Sequence, residues 1–176
     1  MPITTAAELL RAQDIGRCEL VRGELRMMVL PGFEHGRLQS RIGTRLGTFA
    51  DARRLGAVLG EVGFVLTRDP DTVRAPDVAF VRAERVQGRN PGYVEGAPDL
   101  AVEILSPDDR PGYVRDKVAE WLESGAAAVW VVDPRNRTVT VHAGRGRPKL
   151  LGEADTLRGE GALAGFEVAV REIFAP

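Results

Sequence analysis

The stretch DLAVEILSPDDRPGYVRDKVAEWLESGAAAVWVVDP, residues 99–134, decides the fold. Residues 99–105 and residues 126–134 have the length and the apolar content of buried strands. Residues 111–124 begin with a proline, carry an apolar face and end just before Gly125, which is typical of an amphipathic helix. The stretch therefore predicts a β–α–β unit with parallel strands and a right-handed crossover.

Further helices and strands are predicted on both sides of this unit. Residues 4–12 predict a short helix, and residues 34–55 predict a long one whose apolar side chains recur every three or four positions. Residues 82–98 are rich in Gly and Pro and predict a surface loop. Strands and hairpins are predicted at Glu19–Val21, Glu24–Val29, Ala57–Leu66, Asp77–Val81, residues 137–144 and the C-terminal tail. We expect one α/β (α+β) domain over residues 1–176, with a mixed β-sheet core flanked by helices and additional C-terminal β-hairpins.

Bulk properties narrow the class of protein. A chain of 176 residues can bury a core as a single domain. Its net charge of −1 argues against a protein that coats nucleic acid through overall basic charge. Cys18 is the one cysteine, which excludes an internal disulfide. The N-terminal residues do not resemble a secretory signal, and no apolar run approaches the roughly 20 residues that span a bilayer, so we expect a cytoplasmic protein.

Glu103 interrupts a strand that is otherwise apolar. Alternation along residues 99–105 places Glu103 on the same face as Ala101 and Leu105. Because an unpaired buried carboxylate is strongly unfavourable, Glu103 is expected to be paired, protonated or bound to a metal. A buried salt bridge is the structural alternative.

Asp77 follows Pro76 and opens a second apolar strand. If the two strands are neighbours, the carboxylates of Asp77 and Glu103 lie within about 5 Å of each other. Two carboxylates at that separation repel each other unless a proton or a cation lies between them. Because such oxygen ligands suit Mg²⁺ or Mn²⁺, the pair predicts a divalent metal site. For Asp77 alone, a residue at a strand end or turn is the alternative.

Lys117 is one of only two lysines among 24 basic residues. It lies on the helix predicted to follow the Glu103 strand. A helix in a β–α–β unit packs back over the sheet, so Lys117 can reach the two carboxylates. A solvated lysine, or one paired with Asp116 or Glu120, is the alternative.

Four segments together resemble a nuclease family. They are ELVRGEL with His35 downstream, VRAPDVAFV, PDLAVEILSPDD, and the spaced Lys117, Trp121, Gly125 and VWVVDP. Their order resembles that of the PD-(D/E)XK nuclease superfamily, with its restriction-endonuclease-like fold. More narrowly, the chain is similar to the Uma-type family of bacterial restriction endonucleases. The resemblance covers roughly residues 8–142, which is most of the chain.

The resemblance implies a DNA endonuclease that hydrolyses phosphodiester bonds with metal-activated water. Asp77 and Glu103 would bind Mg²⁺ or Mn²⁺, and Lys117 would be the catalytic amine. Glu24 and His35 match further positions near the family's site and are candidate catalytic or proton-transfer groups. Leu105 departs from the superfamily pattern, since it stands where a lysine usually follows the acid.

Other classes of function remain open. A catalytically degenerate module on the same fold would bind nucleic acid or a protein partner without cleavage, and the near-neutral charge and Leu105 favour it. The apolar C-terminal strands also suit an oligomer-forming protein. Because nucleases that cut a duplex often need two sites, we expect a homodimer. Arg37, Arg41 and Arg45 form a stripe on the long helix that either contacts phosphates or faces solvent.

Overall fold

A computed structural model describes residues 2–86, 91–144 and 146–176. Its helices are α1 (Ala6–Arg11), α2 (Phe33–Arg53), α3 (Pro111–Glu123) and α4 (Val170–Phe174). Its strands are β1 (Cys18–Val21), β2 (Glu24–Met27), β3 (Gly56–Leu59), β4 (Phe64–Thr67), β5 (Thr72–Arg74), β6 (Val78–Arg82), β7 (Val94–Glu95), β8 (Leu100–Ile104), β9 (Ala128–Asp133), β10 (Thr138–Ala143), β11 (Lys149–Leu151), β12 (Thr156–Arg158) and β13 (Glu167–Ala169). None of these helices has both the length and the apolar character that crossing a membrane requires.

Two sheets contain most of these strands. The larger sheet has six strands in the order β11-β10-β9-β8-β6-β3, and the smaller one has five in the order β2-β1-β5-β4-β7. β8 and β9 are parallel and are joined through α3, so the predicted β–α–β unit is confirmed. β6 lies antiparallel beside β8 on the other side. β12 and β13 form a separate two-stranded sheet.

The two faces of the six-stranded sheet are covered by different elements. α2 and α4 pack on one face, against apolar side chains that include Phe80 and Val102. α3 and part of the five-stranded sheet pack on the other face, where the rings of Trp121 and Phe64 meet edge to face at 6.1 Å between centroids. Because successive strand residues point to opposite faces, Glu103 projects toward α3 while its neighbours face α2. The fold therefore positions an acidic side chain between the sheet and α3.

Local signals in the sequence set the ends of the short and amphipathic helices. Thr5 caps α1, and Glu8 completes the capping box by accepting the backbone N–H of Thr5 at 2.9 Å. α3 begins at Pro111, where the missing proline N–H is not needed for the helix. It ends before Gly125, whose φ of +104° suits glycine. These ends agree with the predicted helices.

Two predictions about strands are wrong. Ala57–Leu66 is not one strand, because Glu61 adopts a φ of +54° and turns the chain from β3 in one sheet to β4 in the other. Residues 82–98 are not loop throughout, since β7 pairs in parallel with β4. Residues 87–90 of that segment lie outside the described residues. No sequence pattern predicted β5, a three-residue strand.

The arginine stripe of α2 is not a simple solvated face. Arg37 and Arg41 both donate to the backbone carbonyl of Ala175. Arg45 pairs with Glu172 of α4 at 3.0 Å. The stripe therefore joins α4 and the C-terminal residues to α2, a role that neither predicted alternative, phosphate contact or a solvated face, included.

Candidate active site

Asp77 immediately precedes β6 and Glu103 lies on β8, and these two strands are neighbours in the six-stranded sheet, as predicted. The register of β6 and β8 matches Val78 with Val102 and so places Asp77 opposite Glu103. The Asp77 carboxylate accepts the backbone N–H of Ile104 at 2.6 Å, which fixes its position against β8. Both carboxylates are buried.

Two donors from α3 converge on the Glu103 carboxylate. Nζ of Lys117 lies 2.8 Å from Oε2, and Nε1 of Trp121 lies 2.7 Å from Oε1. Because the two donors are four residues apart, they project from the same side of the helix. The lysine thus reaches the acidic strand from the next element in the chain.

The contacts continue from Lys117 into the five-stranded sheet. Oε1 of Glu19 lies 3.3 Å from Nζ of Lys117, and Oε2 of Glu19 accepts from Arg74 at 2.7 Å. Arg74 also pairs with Glu120 of α3 at 2.6 Å. Glu103, Lys117, Glu19, Arg74 and Glu120 therefore form one chain of alternating charges, which we call the ion network. It connects both sheets and α3 through side chains that are mostly buried.

One cavity of about 420 Å³ is lined by Asp77, Glu103, Lys117 and His35, and we call it the carboxylate cavity. Nε2 of His35 lies 3.3 Å from Oδ2 of Asp77. This hydrogen bond raises the pKa of His35 above its ordinary value, against the opposing effect of burial. The other ring nitrogen of His35 is buried without a hydrogen-bond partner among the described residues. The cavity therefore combines two carboxylates, an amine and an imidazole.

Comparison with known proteins places the chain in a family. A sequence model of the family Uma2, described as "Putative restriction endonuclease", matches residues 6–171. The chain belongs to the Uma2 family. The crystal structure of a putative nuclease belonging to DUF820 from Anabaena variabilis has a similar fold, with a TM-score of 0.84, 20% sequence identity and coverage of 97% of both chains. No curated protein matches the chain.

Membership of Uma2 confirms the family that the four segments predicted, and it supports a nuclease function. The likeness to the Anabaena variabilis protein confirms the predicted fold class.

The structure brings together most of the residues expected in a Uma2 site. Asp77, Glu103, Lys117 and His35 all line the carboxylate cavity. Glu24 does not lie among them. Its side chain is 71% exposed at the turn end of the β1–β2 hairpin, where it pairs with Arg26.

Three residues joined to Lys117 and Glu103 by side-chain contacts were not predicted as site residues: Glu19, Arg74 and Trp121. Glu19 and Arg74 lie on short strands of the second sheet, and only the pairing of β1 with β5 brings them together. The spacing of Trp121 four residues after Lys117 was a usable signal, because it places both side chains on one helix face. The sequence offered no comparable signal for Arg74, which is one of many arginines.

The buried charges shift one another's pKa values. Burial raises the pKa of Glu103 to about 7, and the nearby Asp77 carboxylate adds to this effect against the attraction of Lys117. Burial alone would lower the pKa of Lys117, but Glu103 and Glu19 outweigh it and raise that pKa. For Glu19, the charges of Lys117 and Arg74 outweigh burial and lower the pKa. Lys117 is therefore an ammonium at neutral pH, whereas Glu103 is costly to ionise.

Replacing Glu19 by glutamine is expected to destabilise the protein more at neutral pH than in acid. The folded pKa of Glu19 lies below its ordinary value of 4.5, so its ionised form contributes fully above pH 4.5. That contribution is lost as the pH falls through the lowered value. Lys117, Arg74, the Ala75 N–H and the more distant Glu103 carboxylate are the groups that face Glu19.

Urea denaturation of wild type and Glu19→Gln at about pH 7 and about pH 3 measures the difference in unfolding free energy. The difference between the two proteins should be smaller at the acidic pH than at the neutral pH. A difference that stays constant over this range would contradict the ionised role of Glu19. Glu167→Gln, which removes the carboxylate of an exposed pair with Arg158, is the matched control.

The residues of the carboxylate cavity fit a divalent cation. The carboxylates of Asp77 and Glu103 both line the cavity, with the ammonium of Lys117 at 2.8 Å from Glu103, and burial together with the nearby Asp77 charge raises the pKa of Glu103. Each carboxylate oxygen can accept more than one contact, so the bonds to Lys117 and Trp121 leave Glu103 able to act as a ligand. Among the described residues no group of three or more His, Cys, Asp or Glu side chains could hold a metal. Mg²⁺ suits this donor set, because it is commonly held by one or two carboxylates, water and substrate phosphates.

Proposed function

We propose that this Uma2 protein is a Mg²⁺- or Mn²⁺-dependent DNA endonuclease that hydrolyses phosphodiester bonds. Asp77 and Glu103 are the metal ligands, and Lys117 is the catalytic amine. The observation that carries the proposal is the ammonium of Lys117, held 2.8 Å from Glu103 beside the cavity that Asp77 also lines. The description of the Uma2 family, "Putative restriction endonuclease", supports DNA as the substrate.

A bound divalent ion would lower the pKa of a water molecule and neutralise charge on the reacting phosphate. Hydrogen bonds within the protein hold the proposed ligands in position for this chemistry. Asp77 is held in place by the Ile104 N–H, and Glu103 by Lys117 and Trp121. The raised pKa of Lys117 keeps its amine protonated, so it can donate to a phosphate oxygen as negative charge develops there.

Other residues of the site support Lys117 and handle protons. Glu19 and Arg74 act as positioning residues, because Glu19 contacts the Lys117 amine at 3.3 Å and Arg74 binds Glu19 at 2.7 Å. His35 lines the cavity next to Asp77 and has a raised pKa, so it can hold a proton close to the phosphate.

A degenerate module that binds without cleaving is the second candidate. Its specific support is that both oxygens of Glu103 already accept hydrogen bonds, so the ion network is complete as a structural feature. Leu105 also stands where the superfamily usually has its lysine. The two candidates differ in metal binding, which the nuclease requires and the module does not.

Saturating Mn²⁺ is expected to raise the melting temperature of the wild-type protein by about 5–10 °C. An ion present at about 100 times its dissociation constant stabilises the folded state by about 2.7 kcal/mol, and a chain of this size gains about 2–4 °C per kcal/mol. Asp77→Asn and Glu103→Gln should lose this increase. Differential scanning calorimetry with and without Mn²⁺ measures it.

Asp116→Asn is the control for metal binding, since Asp116 is 70% exposed on the same helix as Lys117 and should respond to Mn²⁺ like wild type. Cleavage of plasmid DNA by the same preparations, with Mg²⁺ or with EDTA, tests the activity itself. An unchanged melting temperature of wild type in Mn²⁺, together with intact plasmid, would reject the nuclease in favour of the binding module.

A further inference from the structure

A second cavity of about 600 Å³ adjoins the carboxylate cavity. We call it the side cavity. The same six residues line both cavities: Gly32, His35, Leu105, Ser106, Pro107 and Asp109. A nucleic-acid chain with one phosphate bound beside Asp77 and Glu103 would therefore have a neighbouring nucleoside at the side cavity. The volume falls within the range of pockets that bind small organic groups.

The side cavity has the lining of a stacking site. Phe33, the first residue of α2, is 86% exposed and lies at its wall. Pro107, Pro111 and Pro134 supply further flat apolar surface from three separate loops and helix starts. An exposed aromatic ring is unfavourable in water but binds the face of any nucleobase, whatever its identity.

One cationic side chain of the side cavity, Arg135, has hydrogen-bond donors that a ligand can use. Three acids among the described residues line the side cavity. Asp109 accepts the backbone N–H of Ser106 at 2.7 Å, and Asp133 accepts those of Arg135 and Asn136. The third, Glu34, pairs with Arg37 at 2.7 Å. Arg135 donates one N–H to the carbonyl of Pro107 at 2.9 Å. A guanidinium has five N–H donors, so Arg135 can also donate to the edge of a base or to a phosphate.

We propose that the side cavity binds one unpaired nucleobase next to the reacting phosphate, with its face on Phe33. This inference rests on the proposed nuclease function and names its substrate class, a single-stranded or locally unpaired nucleic acid. The reason is geometric: in a duplex the faces of a base are stacked on its neighbours, so a base reaches an aromatic wall only after it leaves the stack.

Removal of a single base tests the proposal. Fluorescence anisotropy in EDTA compares wild type with Phe33→Ala on a labelled single-stranded oligonucleotide and on a series with one abasic position each. Wild type should lose affinity about 5- to 100-fold at one position of the abasic site, because stacking on an aromatic side chain contributes that much per base. Phe33→Ala should bind the intact oligonucleotide as weakly as wild type binds that abasic one. Removal of the same base should cause no further loss of affinity in Phe33→Ala.

Leu150→Ala is the matched control, since Leu150 is a 68% exposed apolar residue on β11 and does not line either cavity. Leu150→Ala should have the same affinities as wild type for the intact and abasic oligonucleotides. A fully paired duplex of the same length should bind to wild type less tightly than the single strand. The proposal would be overturned if wild type did not bind the single strand. It would also be overturned if removal of a base lowered the affinities of wild type and Phe33→Ala equally. A further contradicting result would be an oligomer of wild type that dissociates in Phe33→Ala, seen as a lower mass by light scattering. That result would assign Phe33 to a contact between two copies of the chain.

The readout separates this inference from the proposed activity, because binding in EDTA does not require cleavage. Binding that depends on Phe33, without any cleavage of DNA in Mg²⁺, would reject the nuclease and keep the base site as part of a binding module. Cleavage without the Phe33 effect would keep the nuclease and reject the base site.

Discussion

Lys117→Met is expected to reduce divalent-dependent DNA cleavage by at least about a hundredfold, because removing one donor that stabilises transition-state charge typically costs that much or more. The methionine keeps the length and the apolar stem of the side chain but removes the ammonium. Asp77→Asn and Glu103→Gln should abolish cleavage, since each removes a metal ligand. Initial rates of plasmid nicking in Mg²⁺ measure all three effects.

Lys117→Arg separates a requirement for the amine from one for positive charge. A planar guanidinium cannot occupy the same position between Glu103 and Glu19, so we expect little recovery of activity. Asp116→Asn, on the same helix but exposed, should cleave at the wild-type rate. Wild-type cleavage by folded Lys117→Met, checked by circular dichroism, would remove Lys117 from the mechanism.

Arg74→Met is expected to lower the free energy of unfolding by about 3–5 kcal/mol, which is the usual cost of breaking a buried ion pair. The guanidinium is only 3% exposed, and its loss leaves Glu19 buried with Lys117 as its one remaining ion-pair partner among the described residues. Glu120 loses its partner as well. Urea denaturation measures the change.

Arg158→Met provides the matched control for this loss. It breaks an Arg–Glu pair whose two side chains are 62% and 56% exposed, and exposed pairs contribute no more than about 1 kcal/mol. Equal destabilisation by the two substitutions would show that burial of the ion network has no energetic importance. Cleavage by Arg74→Met should also fall, because Lys117 loses the support that Arg74 gives it through Glu19.

Local patterns predicted the part of the site that lies within one β–α–β unit. Alternation along residues 99–105 identified Glu103 as a carboxylate inside a buried strand, and the packing of a β–α–β helix over its sheet predicted that Lys117 could reach it. The prediction failed where the chain passes to the second sheet. Ala57–Leu66 has the composition of one strand, and its division at Glu61 depends on a backbone angle that composition does not specify.

Glu19 and Glu24 illustrate the same limit within a single motif. Both acids lie in the ELVRGEL hairpin, and period alone does not say which one points inward. The pairing of Leu20 with Val73 decides it, because this contact brings Glu19 to Arg74. That pairing joins segments about fifty residues apart, so no local signal carries it.

The ion network has a consequence for how relatives of this protein should be compared. Its members fasten one sheet to the other, so substitution of Glu19, Arg74 or Lys117 loosens the domain even when no phosphate is ever cut. Selection for a folded chain would thus preserve these side chains in a descendant that had lost catalysis. The carboxylate of Asp77 contacts only a histidine and a backbone amide by hydrogen bonding among the described residues, so its replacement in a homologue is the better genetic marker of an enzyme that has stopped working.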